Sequence, residues 1–266
     1  MASVVTAEFL GKFAIYSTLK QSGRRPCKIG MKGADRSQTI TPWVCLSIAA
    51  LLPFFGSFAY FVLAGDHPIA RWIYGGVKLF TILWPLIALR WLIKSPIRFR
   101  FPSSISVPRS LLEGLCLGGI LGGSIWLTML TPLGDLVATS SGSIGAKIDD
   151  LGLRNHFWTF AVVISVGHSL LEEYYWRGFV FGQLRLRFSL FWSHSLAGLT
   201  FSLHHMVICS QFFPMPWGIL LGGSVAIGGV CWSLLYQRHG HFYGAWLSHL
   251  IVDLGLMTIG ARLVFG

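Results

Sequence analysis

Residues 157–182 read FWTFAVVISVGHSLLEEYYWRGFVFG. The stretch is apolar and long enough to span a bilayer, which takes about 20 such residues. Yet Glu172 and Glu173 lie side by side within it. A carboxylate at that depth costs about 2.5–3.5 kcal/mol on insertion scales, so charges inside a span turn toward a bundle interior or a wet cavity where they find partners. This one stretch predicts an all-α, polytopic bundle of transmembrane helices with a polar site in its interior.

The rest of the chain agrees. Of 266 residues, 53% are hydrophobic and only 12% charged, a balance far from that of a soluble domain. The net charge of +11 does not mark a nucleic-acid binder, because the basic residues gather at the ends of apolar segments, where they set topology. Five scattered cysteines (Cys27, Cys45, Cys116, Cys209, Cys231) without CxxC spacing give neither a disulfide framework nor a zinc cluster.

Residues 1–42 are basic and polar, a cytoplasmic or surface segment or an organellar targeting segment. Phe9, Leu10, Phe13 and Tyr16 suggest a helix lying on the membrane surface. Residues 43–266 form the membrane domain, with apolar spans expected near 43–64, 72–93, 111–133, 157–180, 188–209, 217–236 and 242–265. That makes about seven, between six and eight. With the N-terminus inside, Lys94, Arg98, Arg100, Arg109, Arg177, Arg185, Arg187 and Arg238 join the N-terminal charges on the cytoplasmic side. Only Arg71, Lys147, Arg154 and Arg262 fall outside, while Lys78 and Arg90 fall within a span. This bias supports an odd number of spans and puts the glutamates in the cytoplasmic half of the fourth. The protein is expected in a prokaryotic plasma membrane or an organellar membrane. In the third span Gly114, Gly118 and Gly122 stand four apart, as do Gly119 and Gly123, making a smooth ridge for close helix packing. The following segment, 134–156, reads as a solvated, mobile outside loop.

Within the fourth span Glu173 and Arg177 are four apart and can pair. Glu172 points about 100° away, onto the face of His168 and Trp176. The fifth span brings Phe201-Ser202-Leu203-His204-His205, and the last brings His249 and Asp253 on one face. Lipid offers such groups no partners, so they must face one another or water. A shared cavity holding Glu172, His205, His249 and Asp253 is the simplest arrangement.

At these three segments the chain resembles the CPBP family of intramembrane proteases, which includes the CAAX prenyl endopeptidases and the Abi proteins. The family pattern EExxxR, FxxxH, HxxxN/D reads here as Glu172-Glu173-x-x-x-Arg177, Phe201-x-x-x-His205 and His249-x-x-x-Asp253, in order, over about 157–266. The resemblance implies an intramembrane peptidase in which Glu172 is general base on a water shared with His205. His249 and the Asp253 position would hold the developing oxyanion, and Glu173, Arg177 and Phe201 would support the site. Asp253 stands where the family also uses Asn. An ionised Asp cannot donate to an oxyanion as Asn can, so it is either protonated or orients His249. His204 is the alternative to its neighbour His205.

No cofactor is expected. Zinc held by Glu172, His205 and His249 is the alternative chemistry, although the HExxH arrangement is absent. The expected partners are membrane lipid and a peptide or membrane-protein substrate reaching the site from the cytoplasmic or stromal side, with no nucleic acid. A non-catalytic scaffold or bacteriocin-immunity-type protein of the same family is the alternative function. A proton-coupled transporter is disfavoured by the odd span number and the lack of an inverted repeat.

Overall fold

Two prolines interrupt the backbone ladder of the first long helix, and a side chain from another helix makes good the loss at one of them. In the computed structural model, which describes residues 15–16, 36–95, 98–99 and 106–266, α1 covers Arg36–Phe58 with Pro42 and Pro53 inside it. Pro53 has no N–H, so the carbonyl four residues earlier loses its helical partner. That carbonyl belongs to Ala49, and the Tyr175 hydroxyl donates to it at 2.7 Å from another helix. A π-helical turn, Ala59–Ala64, continues α1. The second helix, α2, covers Ala70–Ile87, contains Pro85 and also runs on into a π turn, Ala88–Leu92. Trp84 Nε1 joins it to α1 by donating to Cys45 O at 3.2 Å.

The third helix, α3 (Ser106–Thr128), packs along the last, α9 (Tyr243–Phe265). Their backbones nearly touch: a Cβ added at Gly114 would stand 2.2 Å from Gly244 O. Ser110 Oγ accepts the Gly244 N–H at 3.1 Å, adding a polar latch to the contact. Of the glycine ridge expected from the sequence, Gly114, Gly118 and Gly122 are buried in the α3–α9 interface, while Gly119 and Gly123 are exposed.

Segment 134–156 is not the loop expected. It folds into α4 (Pro132–Thr139) and α5 (Ser141–Asp150). Thr131 caps α4, its hydroxyl accepting from Leu133 N at 3.3 Å, and Pro132 follows at the first helical position. Ile148 packs with Phe157 and Ala261, while Arg154 grips Asp149 through two nitrogens, one at 2.9 Å. That guanidinium holds the Asp149 carboxyl below its usual range. The polar surface of this segment concealed the apolar anchor beneath it.

The site helix, α6, is an unbroken run of the pieces Phe157–Val163, Ile164–His168, Ser169–Glu172, Glu173–Phe181 and Gly182–Arg185, the second and fourth of them π-helical. Wide turns of this kind occur often at functional sites. Then come α7 (Leu190–Phe212) and α8 (Trp217–His239), a tightly packed pair, and α9. Gly240, at φ +73°, ends α8 and returns its N–H to Tyr236 O at 2.8 Å. Of the expected N-terminal surface helix, only Ile15 and Tyr16 are among the described residues. They pair antiparallel with Arg98 and Phe99.

Ile40–Ala64, Ile69–Leu92, Ser106–Thr128, Trp217–His239 and Tyr243–Phe265 are long and apolar enough to cross a membrane. The two other expected spans are α6 and α7, which are helical but carry Glu172, Glu173, Arg177, His194, His204 and His205. Those side chains depress the hydropathy, and they point inward. Leu130, Trp72 and Leu63 are 82%, 77% and 72% exposed, whereas Glu173 is 0% and Arg177 2% exposed. A bundle that is apolar outside and charged inside is built for lipid.

Candidate active site

The two glutamates of α6 share one histidine. Glu173 is sealed in the bundle, its Oε1 lying 2.9 Å from an Arg177 guanidinium nitrogen and 2.9 Å from His249 Nδ1. The other ring nitrogen of His249, Nε2, is 3.7 Å from Glu172 Oε2. The sequence reading put the glutamates on separate faces. One imidazole from α9 nevertheless reaches both, at the junction where the α-helical piece ending at Glu172 meets the π-helical turn starting at Glu173.

Glu172 is buried where α6, α7 and α9 meet. Its Oε1 lies 3.3 Å from His204 Nε2 and 3.4 Å from His168 Nε2. Oε2 has no nitrogen inside hydrogen-bond reach, His249 being the nearest of the ion-pair contacts among the described residues. The carboxylate is therefore asymmetric, one oxygen held by two imidazoles and the other turned toward His249. His205 is close too: ligand atoms of Glu172, His204 and His205 lie within 4.8 Å of one another. Its Nδ1 stands 3.1 Å from Phe201 O. A carbonyl only accepts, so Nδ1 carries the proton and Nε2 is left as the acceptor.

Aromatic walls fix these rings. Phe201 has no exposed surface and meets Trp176, His204, Trp232 and His249 edge to face. The Arg177 guanidinium lies over Phe201 at 4.7 Å and over Trp232 at 5.0 Å, positions that favour a cation. Trp232 stacks on His249 at 4.1 Å and donates to Ser248 Oγ at 2.9 Å. Trp176 lies parallel to His204. Asp253 Oδ1 is 3.6 Å from His249 Nε2, and Oδ2 is buried without a protein partner.

Glu172, Glu173, Arg177, Phe201, His205, His249 and Asp253 thus lie around one point in the bundle. Sequence reasoning missed Trp232, and it left Lys78 as a bare exception to the charge pattern. Lys78 Nζ, on α2, sits 2.7 Å from His168 Nδ1. The signal was available, since a lone lysine inside a span is a functional-site candidate by default.

Two chemistries fit these atoms. A carboxylate with one free oxygen beside imidazoles can take a proton from water. The Glu172, His204 and His205 cluster could also hold a metal ion. This differs from the expected zinc set in having His204 where His249 was placed.

Residues 154–255 match the family model described as type II CAAX prenyl endopeptidase Rce1-like, a protease family. No curated protein and no solved structure matches the chain. The matched segment contains α6, α7, α8 and the site-bearing part of α9. The likeness is confined to that segment, and the five long apolar helices mark the chain as an integral membrane protein. The Lys78-bearing helix α2 lies wholly outside the match.

Proposed function

We propose that this CAAX-protease-type bundle hydrolyses a peptide bond with water activated by Glu172, on a substrate that reaches the site from the cytoplasmic or stromal side. The observation that carries the proposal is the asymmetric Glu172 carboxylate, buried, with Oε1 between His168 and His204 and Oε2 turned toward His249.

Water on Oε2 gives up a proton to it while its oxygen attacks the carbonyl carbon. The Nε2 acceptor of His205 orients the water's second hydrogen. The negative charge grows on the carbonyl oxygen, which His249 Nε2 and a protonated Asp253 are close enough together to hold. With Nδ1–H committed to Glu173, His249 donates from Nε2 only as an imidazolium, and the carboxylates of Glu172 and Glu173 supply the negative charge around it. Glu172 then returns its proton to the leaving nitrogen. The side of access rests on the basic residues at one set of span ends.

The test uses the full chain in lipid nanodiscs with a quenched fluorescent farnesylated CAAX peptide, the probe suggested by the family description, and its unprenylated counterpart. Glu172→Gln should lower kcat by about 10²–10⁴-fold. His204→Ala and His205→Ala, made separately, show which histidine serves the water. Undiminished cleavage by folded Glu172→Gln rejects the proposal. Loss with a chelator and recovery with added zinc transfers the chemistry to the Glu172, His204 and His205 cluster. Binding without cleavage by the wild type would instead establish a scaffold.

A further inference from the structure

Lys78 is a cation in the middle of α2, which is apolar enough to span a membrane. Among the described residues no carboxylate lies within ion-pair distance of it. Its contacts are His168 Nδ1 at 2.7 Å and the Tyr74 ring at 5.4 Å. A lysine that needed only to escape lipid would direct its ammonium along the helix to the interface. This one is directed sideways into the site helix, at a histidine that touches Glu172.

The chemistry of the contact has a direction. An ammonium has three donors and no acceptor, so the close nitrogen of His168, Nδ1, presents its lone pair. A neutral imidazole then carries its proton on Nε2, and the partner of one ring nitrogen sets the role of the other. Nε2 lies 3.4 Å from Glu172 Oε1. His204 Nε2 approaches the same oxygen at 3.3 Å. Without Lys78, His168 would be free to put its proton on Nδ1, and its lone pair would then face the carboxylate.

We propose that Lys78 is a positioning residue for Glu172: through His168 Nδ1 it fixes the imidazole proton on Nε2, which holds Oε1 and leaves Oε2 for the water. The consequence for rate rests on the peptidase reading above, while the proton position does not. The assignment extends the site beyond residues 154–255 to α2, so the matched segment is an incomplete site without that earlier helix.

Magnetic resonance of the ¹⁵N-histidine-labelled full chain in nanodiscs reads the proton directly, with His168 identified by the signals lost in His168→Gln. In the wild type, His168 should be bare at Nδ1 and protonated at Nε2. Lys78→Met should release it to the Nδ1-protonated or a mixed form, and Lys78→Arg, again a pure donor, should restore the wild-type form. On the farnesylated peptide, Lys78→Met should lower kcat by about 10–100-fold, the scale of losing a supporting hydrogen bond, with KM nearly unchanged. Lys78→Arg should recover most of the rate. A wild-type His168 protonated on Nδ1, or a tautomer unaltered in Lys78→Met, overturns the proposal. So does an equal loss of kcat in both variants while the tautomer stays as in the wild type, which would mark a purely structural lysine. A wild type that leaves the peptide uncut rejects the peptidase reading, and the tautomer then decides the role of Lys78 alone.

Discussion

Glu173 divides one oxygen between Arg177 and His249 while having no exposed surface. The pair is therefore both a structural clamp and the means of aiming an imidazole. Removing one member of a buried ion pair leaves the other uncompensated and typically costs about 3–5 kcal/mol. Arg177→Met should destabilise the bundle on that scale, as measured by reversible unfolding in mixed micelles. Adding Glu173→Gln should recover part of the loss, because the charge disappears while an acceptor for His249 remains. An Arg177→Met variant as stable as the wild type would remove the clamp from the account. Much at this scale was legible in advance. The i,i+4 spacing of Glu173 and Arg177 forecast their contact, and the need of charged groups for partners forecast that Glu172 would meet histidines. Other features were hidden by long-range geometry. Lys78 and His168 are ninety positions apart, and the sequence does not say which turn of α2 faces which turn of α6. Likewise, adjacency of His204 and His205 cannot reveal that His204 is the one 3.3 Å from Glu172 while His205 Nδ1 is occupied by Phe201 O.

At the scale of elements, helices in lipid are held by close packing and by polar contacts rather than by the hydrophobic effect. The α3–α9 contact illustrates both, with Gly114 against Gly244 and the Ser110 hydroxyl on the Gly244 amide. Gly114→Ala should cost about 1–3 kcal/mol as overpacking, because its new Cβ would meet backbone, which cannot rotate away. Gly119→Ala is the control. Nothing lies within 4 Å of its Cβ position, so it should change stability by no more than about 0.5 kcal/mol. Equal effects in thermal unfolding of the two variants would mean that α3 does not pack this way. Four-residue spacing revealed the ridge but not its partner, and it did not separate Gly114 from Gly119. In α6 the apolar run forecast a helix, but nothing in its spacing marked the wide turns. Val166 O, in the first of them, takes Trp246 Nε1 of α9 as a further donor at 3.1 Å, a contact from eighty positions away that local spacing does not show.

For the whole molecule, the distribution of charge and exposure fixes what lipid must surround, and the remaining question is orientation. The bundle buries Glu172, Glu173, Arg177 and His249 and exposes Trp72, Leu63 and Leu130, so its outer wall faces acyl chains. The α4–α5 cap, closed by Arg154 on Asp149, lies beyond one end of α3, and Ser95 lies before the other. If basic residues mark the cytoplasmic or stromal side, these two places are on opposite sides, because α3 alone crosses between them. In a cysteine-free variant of the full chain, a membrane-impermeant maleimide added to sealed cells or organelles should label Ser143→Cys. Ser95→Cys should react only after the membrane is opened. The reverse pattern would turn the molecule over and bring the substrate from the other side, leaving the chemistry at Glu172 intact. Labelling of both from one side would mean that α3 does not span, and the close contact of Gly114 with Gly244 would then have to form outside the bilayer, where so apolar a surface has no solvent.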